Sequence, residues 1–412
     1  MKWAGAAIAV CTVLLMAMGL VTLASIGDVQ SSRHFHDPNH FLAQQAAFDI
    51  VALCIIVFFI CFPPTFWFRP GMIVAISAAV AFGLVATHVP GLQYRALGAT
   101  RWIRIGGYLL QPSEFIKIAA VLLLSWWLDR VGAGIRRFRT GLLPAALGIG
   151  AILAGFFLQD DLGSCVMLLA VNGILLFIGG ARIRHLILFA AIAAVCGGVW
   201  IANSDVRRAR ITSVLFRHAE EPQTDLSGLS GEALEEAERE AAEKRAKASD
   251  RTYQVRMAAS AFAAGGLFGR GLGNSLFKRH YLPENHTDFI LAMVGEEMGL
   301  VASGGCLLLF AVFFVCGMIV AWRAPDAKRR WMAAGLTLHI CLSGAVNVGV
   351  VTGALPTKGL ALPFLSYGGS SIFGSALAAG LLLAIAFRPG RPAAPPPPPR
   401  RDTGETLDFW PE

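Results

Sequence analysis

Two carboxylates and a histidine lie together in the eight residues 282–289, LPENHTDF, directly before a long apolar run. The acids are Glu284 and Asp288, and the histidine is His286. Desolvation disfavours the charged form of an acid at the edge of lipid, so a carboxylate there usually has a function. The same residues also suit a helix cap, because Thr287 or Asp288 can accept hydrogen bonds from the first N–H groups of the next helix. The segment alone leaves capping and chemistry open.

A second pair of charges begins another apolar run. The motif QPSEFIK places Glu114 and Lys117 three residues apart, which puts them on one face of a helix. Near the outer end of a membrane helix, such a pair is either a structural ion pair or the lining of a polar cavity. Further along, Lys358 in LPTKG and Ser366 in LSYGGSS add an external cation and a hydroxyl before the last apolar run.

The elements that position these residues are membrane helices. The chain has 412 residues, of which 55% are hydrophobic and 15% are charged, and its mean hydropathy is +0.60. This composition excludes a soluble domain, and the continuous apolar runs exclude a β-barrel. We predict an all-α, polytopic integral membrane protein with about ten transmembrane helices. They lie near residues 5–26, 46–68, 71–89, 111–128, 141–158, 162–180, 185–202, 289–322, 331–353 and 364–387.

The net charge of +8 is explained by topology. Most short loops rich in Arg and Lys fall on one side together with the C-terminal tail, and the positive-inside rule makes that side and both termini cytoplasmic. The charge therefore does not indicate nucleic-acid binding. Arg101, Arg104 and Arg210 lie on the external side and break this rule, so they predict an anionic external ligand such as a phosphate. Contact with anionic lipid headgroups is the alternative.

The chain divides into a transmembrane domain, 1–388, and a proline-rich cytoplasmic tail, 389–412, which we expect to be disordered. A large extracytoplasmic loop, 203–288, joins helices 7 and 8, and its insert 219–250 is rich in Glu, Ala and Lys. The glycine-rich stretch 253–275 lacks the features of a nucleotide-binding loop. We expect it to lie against the outer membrane surface, where its backbone can approach a ligand closely.

Five stretches together resemble the SEDS family (shape, elongation, division and sporulation), the polytopic polymerases of bacterial peptidoglycan. They are ATRWIRIGGYLLQPSEFIK, QDDLGS, YQ followed by GGLFGRGLGNS, YLPENHTDFILAMVGEEMG and LPTKGLALPFLSYGGSS, in family order from about residue 95 to 375. The last stretch resembles the division branch more than the elongation branch, and the sporulation branch shares it. One departure is Asp160, which stands where proline is common in the family, so the turn there is expected to differ locally.

The resemblance implies a glycosyltransferase that polymerises lipid II, an undecaprenyl-diphosphate-linked disaccharide-pentapeptide, for septal wall synthesis during division. The family's proposed catalytic acid falls on Asp288, and its polar pair falls on Glu114 and Lys117. Asp288 would act as general base for the acceptor 4-hydroxyl, with undecaprenyl diphosphate as leaving group. The residues expected to bind substrate are Glu114, Lys117, Arg101, Arg104, Arg210, Lys358, Glu284, His286 and Ser366.

No cofactor is required by this chemistry, although Glu284 and His286 leave a divalent cation open as an alternative. The expected partners are a class B penicillin-binding protein (a transpeptidase), other proteins of the division machinery and membrane lipid. The expected location is the bacterial plasma membrane, at the septum, with the active site on the extracytoplasmic face. Two other functions remain open at this point: a transporter that flips lipid II, and a non-catalytic scaffold of the division machinery. The sequence has no obvious internal repeat, and its polar motifs gather at one interface, which favours surface chemistry over transport.

Overall fold

The computed structural model describes residues 1–35, 40–96, 99–106, 108–202, 257–276, 287–355 and 360–388. The acidic insert 219–250 and the proline-rich tail 389–412 lie outside these residues. The division into a transmembrane domain and a tail therefore stays a prediction.

Ten long α-helices form the bundle in the part of the chain that the structure describes. They are α1 (Lys2–Phe35), α2 (His40–Cys61), α3 (Pro70–Ala86), α4 (Pro112–Val131), α5 (Leu143–Leu158), α6 (Leu162–Ile178), α7 (Ile183–Ala202), α8 (Ile290–Trp322), α9 (Ala327–Val351) and α10 (Gly369–Phe387). Short 3₁₀ turns lie at Pro64–Phe68 and Gly132–Arg136, and a π turn lies at Phe138–Leu142. Among the described residues, eight helices or helix-containing segments are long and apolar enough to cross a membrane, and α3 and α6 are shorter apolar helices. The prediction of an all-α polytopic membrane protein is confirmed.

A small sheet interrupts the helical architecture between α3 and α4. Its strands are β1 (Gln93–Ala96), β2 (Ala99–Ile105) and β3 (Tyr108–Leu110), and they pair antiparallel in the order β1-β2-β3. The sequence had predicted only an external loop here. β3 ends one residue before Gln111, the N-cap of α4, so the sheet is fixed at the end of α4 that carries Glu114 and Lys117.

The centre of the bundle is formed by α9 and α10. α9 packs against α8, α4 and α6, while α10 packs against α2 and α1. α10 is apolar on all sides and is buried along most of its length, which is typical of a helix enclosed by other helices. The N-terminal part of α10 and the middle of α9 both meet α4, since Gly374 lies beside Glu114 and Gly335 beside Val121.

The predicted span 289–322 is not one straight helix, because α8 is broken at Gly299. This residue has φ 80° and ψ −175°, values that lie outside the helical region. The half-helix 290–298 before the break is almost completely buried. The segment 300–322 after it alternates buried and exposed residues, as a lipid-facing helix does. It has 23 of the 33 residues of α8, a length of roughly 35 Å that spans a bilayer without the half-helix.

Residues 257–276, the glycine segment, fill the break in α8. It consists of a short helix at 257–265 followed by a turn. Arg270 N and Gly271 N donate to the carbonyls of Glu296 and Glu297, at 2.9 and 3.0 Å. On the other side of the break, the N–H groups of residues 300 and 301 donate to the carbonyls of residues 266 and 267. The backbone groups freed by the break are thus satisfied inside the protein, as a membrane environment requires. These glycines let the segment lie close to a helix, and their close approach to a ligand stays a prediction.

We expect Gly269→Ala to lower the thermal unfolding midpoint of the protein in detergent. A Cβ atom at Gly269 would overlap the carbonyl of Glu297, and the residue has φ 81°. Overpacking costs about 1–3 kcal/mol, and the left-handed conformation costs a further 1–2 kcal/mol or so. Gly304→Ala is the matched control: nothing lies within 4 Å of its Cβ position, and alanine is the better helix former. A midpoint for Gly269→Ala equal to that of Gly304→Ala would contradict the backbone contact.

Candidate active site

Asp288 lies two residues before the half-helix 290–298. The N-cap residue of that helix is Phe289, with no side-chain cap, so the expected capping by Thr287 or Asp288 is not what the structure shows. Two side chains hold the backbone next to Asp288 in place. Asn347 Nδ2, near the end of α9, donates to the Asp288 carbonyl at 3.0 Å and to the Leu360 carbonyl at 2.8 Å. Ser366 Oγ donates to the carbonyl of Thr287 at 2.6 Å and accepts from the N–H of Leu362 at 2.8 Å. Asp288 is therefore fixed beside the segment 360–366.

Ser366 was predicted to bind substrate. It is buried, and its hydroxyl already bonds two backbone groups. These contacts give Ser366 a positioning role next to Asp288. Direct contact of Ser366 with substrate stays a prediction.

Leu360 links Asp288 to a polar cavity between the N-terminal parts of α4 and α10 and the middle of α9. The polar side chains that line the cavity are Glu114, Lys117, His339, Ser343, Ser371 and Ser375. Apolar residues of the segment 360–363 close one wall. The structure thus brings the predicted Glu114 and Lys117 pair to a cavity whose wall is tied to Asp288 by Asn347, although the two lie far apart in the sequence.

Glu114 and Lys117 form an ion pair, with 2.8 Å between Lys117 Nζ and Glu114 Oε1. The side chain of Lys117 is only 3% exposed. A lysine ammonium has three N–H donors, and Glu114 is its one hydrogen-bond partner among the described residues. Two donors are thus left for a ligand in the cavity. Glu114 and Lys117 are therefore both a structural ion pair and part of the lining of a polar cavity, the two interpretations that the sequence left open.

His339 also lines this cavity, and the sequence did not single it out. Its side chain is buried on α9, and Nδ1 has no hydrogen-bond partner among the described residues. Buried polar atoms are usually satisfied by protein, water or ligand. A lysine, a histidine and serine hydroxyls around one small space are donors suited to an anionic or hydroxyl-rich group.

Asp161, in the turn before α6, organises the wall of the site next to the sheet. Its Oδ2 accepts hydrogen bonds from Ser113 at 3.2 Å and from Ser164 at 2.7 Å, and its Oδ1 lies 3.8 Å from Arg101 Nη1. Burial alone would raise the pKa of Asp161. The charge of Arg101 and the hydrogen bonds from Ser164 outweigh that effect and hold the pKa below its ordinary value. Asp161 is therefore an anion that ties β2, α4 and α6 together.

The preceding residue, Asp160, has a φ of 55°. Proline is restricted to φ near −65° and cannot adopt this conformation. A relative with proline at this position must therefore have a different backbone conformation in the turn. This is the local difference expected from the sequence. Arg101 also donates to the carbonyl of Asp160.

The two arginines of β2 lie on opposite faces of the sheet, because their positions differ by three in a strand. Arg101 is directed to Asp161, as described above. Arg104 is exposed, and its guanidinium lies 4.6 Å from the centroid of the Tyr94 ring. One substrate phosphate cannot lie on both faces at once. Binding of a diphosphate by either residue stays a prediction, and Arg101 already has an anionic partner.

Four other predicted residues, Arg210, Lys358, Glu284 and His286, lie outside the described residues. The structure therefore does not place them relative to the cavity. Within the described ranges, no three His, Cys, Asp or Glu side chains converge in a way that could hold a metal ion.

Two adjacent buried acids hold the other end of the half-helix. Glu296 accepts hydrogen bonds from the hydroxyl of Ser275 and, at 2.6 Å, from the N–H of Leu276. Glu297 accepts from Ser25 Oγ of α1 at 2.7 Å. Hydrogen bonds thus hold both ends of the half-helix: those of Asn347 and Ser366 before its start, and those of Glu296 and Glu297 at its end. Two consecutive carboxylates inside an apolar run are unusual, so Glu296 and Glu297 could have been recognised from the sequence as functionally or structurally important.

The fold and the site define a polytopic membrane protein with a buried, charged cavity at one end of its helical bundle. The chain belongs to the FtsW/RodA/SpoVE family, whose model, described as cell cycle protein, matches residues 6–389.

Two similar relatives are known by sequence. The probable peptidoglycan glycosyltransferase FtsW of Trichlorobacter lovleyi is 34% identical over 376 residues, which is 90% of each chain. The stage V sporulation protein E of Bacillus subtilis is 33% identical over 378 residues, covering 91% of this chain and 94% of that one.

Two solved structures are similar in fold. A chain of a peptidoglycan synthase complex that coordinates polymerization and crosslinking has a TM-score of 0.70 and 23% identity, covering 93% of this chain and 97% of that chain. The rod shape determining protein RodA of Thermus thermophilus has a TM-score of 0.62 and 21% identity, covering 92% and 95%.

Proposed function

We propose that this protein is a peptidoglycan glycosyltransferase that polymerises lipid II into glycan strands, and that it serves septal wall synthesis as FtsW-like relatives do. One observation carries the proposal: Asn347 donates to the carbonyls of both Asp288 and Leu360, and Leu360 lines a cavity together with Glu114 and Lys117. Transfer of a sugar from a diphosphate requires a base for the acceptor hydroxyl and a cation for the leaving group, and we propose that Asp288 and Lys117 supply them.

In the proposed reaction, Asp288 takes the proton of the 4-hydroxyl on the N-acetylglucosamine unit of the acceptor. The freed oxygen attacks the anomeric carbon of the donor's N-acetylmuramic acid unit. The bond from that carbon to undecaprenyl diphosphate breaks in the same displacement, so the α-linked donor gives a β-linked product. The leaving diphosphate carries the electron pair away, and we propose that Lys117 stabilises its charge.

Other cations are proposed to extend this anion site. Lys358 and Arg210 remain candidates for the diphosphate. Arg104 is exposed on the outer face of the sheet and suits a more peripheral phosphate. Glu284 and His286, close to Asp288 in sequence, are proposed as further substrate contacts.

The proposed setting is the plasma membrane at the division septum, with both termini in the cytoplasm and the cavity on the extracytoplasmic side. A class B penicillin-binding protein is the proposed partner, because glycan strands need a transpeptidase to cross-link them. Other proteins of the division machinery would recruit this protein and its transpeptidase partner to the septum.

The test is polymerisation of lipid II by the purified full chain in vesicles, together with a class B penicillin-binding protein. The expected result is glycan strands, with one undecaprenyl diphosphate released for each bond formed. Movement of fluorescent lipid II across the membrane without polymer would instead establish a transporter. Absence of both activities, from a chain that still supports division in cells, would establish a scaffold.

A further inference from the structure

The turn of the glycine segment exposes large apolar side chains. Phe268 is 82% exposed, Leu267 is 61% exposed and Leu272 is 54% exposed. The short helix before the turn behaves differently, because Ala258 and Ala261 are fully buried on its α8 side. The short helix exposes only small residues, and the large exposed apolar side chains of the segment come after it, in the turn that fills the break in α8 and at Leu276.

This exposed patch continues the lipid-facing surface of α8. The N–H groups of Leu300 and Val301 donate to the carbonyls of Gly266 and Leu267, at 2.9 and 3.1 Å. Leu300 and Val301 are themselves 58% and 61% exposed, and they begin the segment 300–322 that crosses the membrane. The turn thus lies beside the first residues of this candidate span, and its side chains extend the same apolar surface.

The backbone of the turn is suited to that depth. Its N–H groups at Gly269, Arg270 and Gly271 all donate to carbonyls of the protein. Irregular backbone is tolerated in lipid only when such groups are satisfied internally. Arg270 is exposed at the same turn, and an arginine next to apolar residues is typical of the membrane interface.

We infer that the turn of the glycine segment is inserted among the lipid acyl chains of the leaflet on the Asp288 side, with Leu267, Phe268 and Leu272 as its lipid contacts. The glycine segment then joins the bilayer to the half-helix 290–298. Bilayer lipid thereby takes part in holding the element that positions Asp288.

The test is photo-cross-linking of the full chain in vesicles of phosphatidylethanolamine and phosphatidylglycerol. p-Benzoylphenylalanine replaces Phe268, and two other positions serve as references. Leu308, 64% exposed on the spanning part of α8, is the lipid-facing reference. Asn274, exposed on the same glycine segment but polar, is the matched control. The cross-linked products are identified by mass spectrometry.

The expected result is phospholipid adducts at Phe268 with a yield similar to that at Leu308 and several-fold above that at Asn274. Equal yields at Phe268 and Asn274 would overturn the inference. Cross-links from Phe268 to another part of this chain or to a second protein would also overturn it, because they would show that protein covers the turn. If the Phe268 variant does not fold, Leu267 on the same turn takes its place.

Discussion

Asp288→Asn is expected to lower the rate of lipid II polymerisation by about 10²–10⁴-fold, the usual contribution of a general base. Asparagine keeps the size of the side chain but cannot take a proton. The Asp288 carbonyl would still accept its hydrogen bond from Asn347, so the thermal unfolding midpoint should stay near that of the wild type. The measurement is the initial rate of glycan formation at saturating lipid II, with the midpoint measured on the same preparation.

Asp129→Asn is the matched control for this result. Asp129 lies on α4 some 15 residues after Glu114, roughly 22 Å away along the helix. It pairs with Lys328 at 3.3 Å, at the opposite end of the bundle. Loss of a partly exposed pair costs about 0–1 kcal/mol, so its polymerisation rate should be unchanged. Asp288→Asn at the wild-type rate would rule out Asp288 as the base.

Hydropathy and charge predicted the helices and both charged motifs, because bilayer crossing imposes length and polarity on each segment. The break in α8 was not predicted, since an average over apolar residues carries no information about the φ angle of Gly299. The sheet at Gln93–Leu110 was missed for a related reason. Its strands are short, and they are stabilised by pairing with one another and by the end of α4.

The site was predicted as separate motifs and not as an assembly. Glu114, Lys117 and Asp288 were selected because a charge next to an apolar run is unusual. Asn347 and His339 are polar residues inside apolar helices, and their importance depends on which neighbours the fold brings to them. Asn347 links Asp288 to Leu360 only because the end of α9 meets the loop before α10. A single sequence does not contain that contact.

A double variant separates the two roles of the Glu114 and Lys117 pair. Lys117→Met alone leaves Glu114 as a largely buried charge without its partner. Removing one member of a buried pair typically costs about 3–5 kcal/mol, whereas replacing both members is often neutral or stabilising. We therefore expect Lys117→Met to lower the unfolding midpoint, and Glu114→Gln combined with Lys117→Met to restore it.

Activity should not follow stability in this comparison. If Lys117 stabilises the departing diphosphate, the double variant folds but stays slow, by about 10²–10³-fold, the usual loss when one transition-state donor is removed. If the pair is only structural, the double variant regains both its midpoint and its polymerisation rate, and Lys117 has no part in the chemistry. Because the Lys117 side chain is 3% exposed and lines the cavity, we expect the first result.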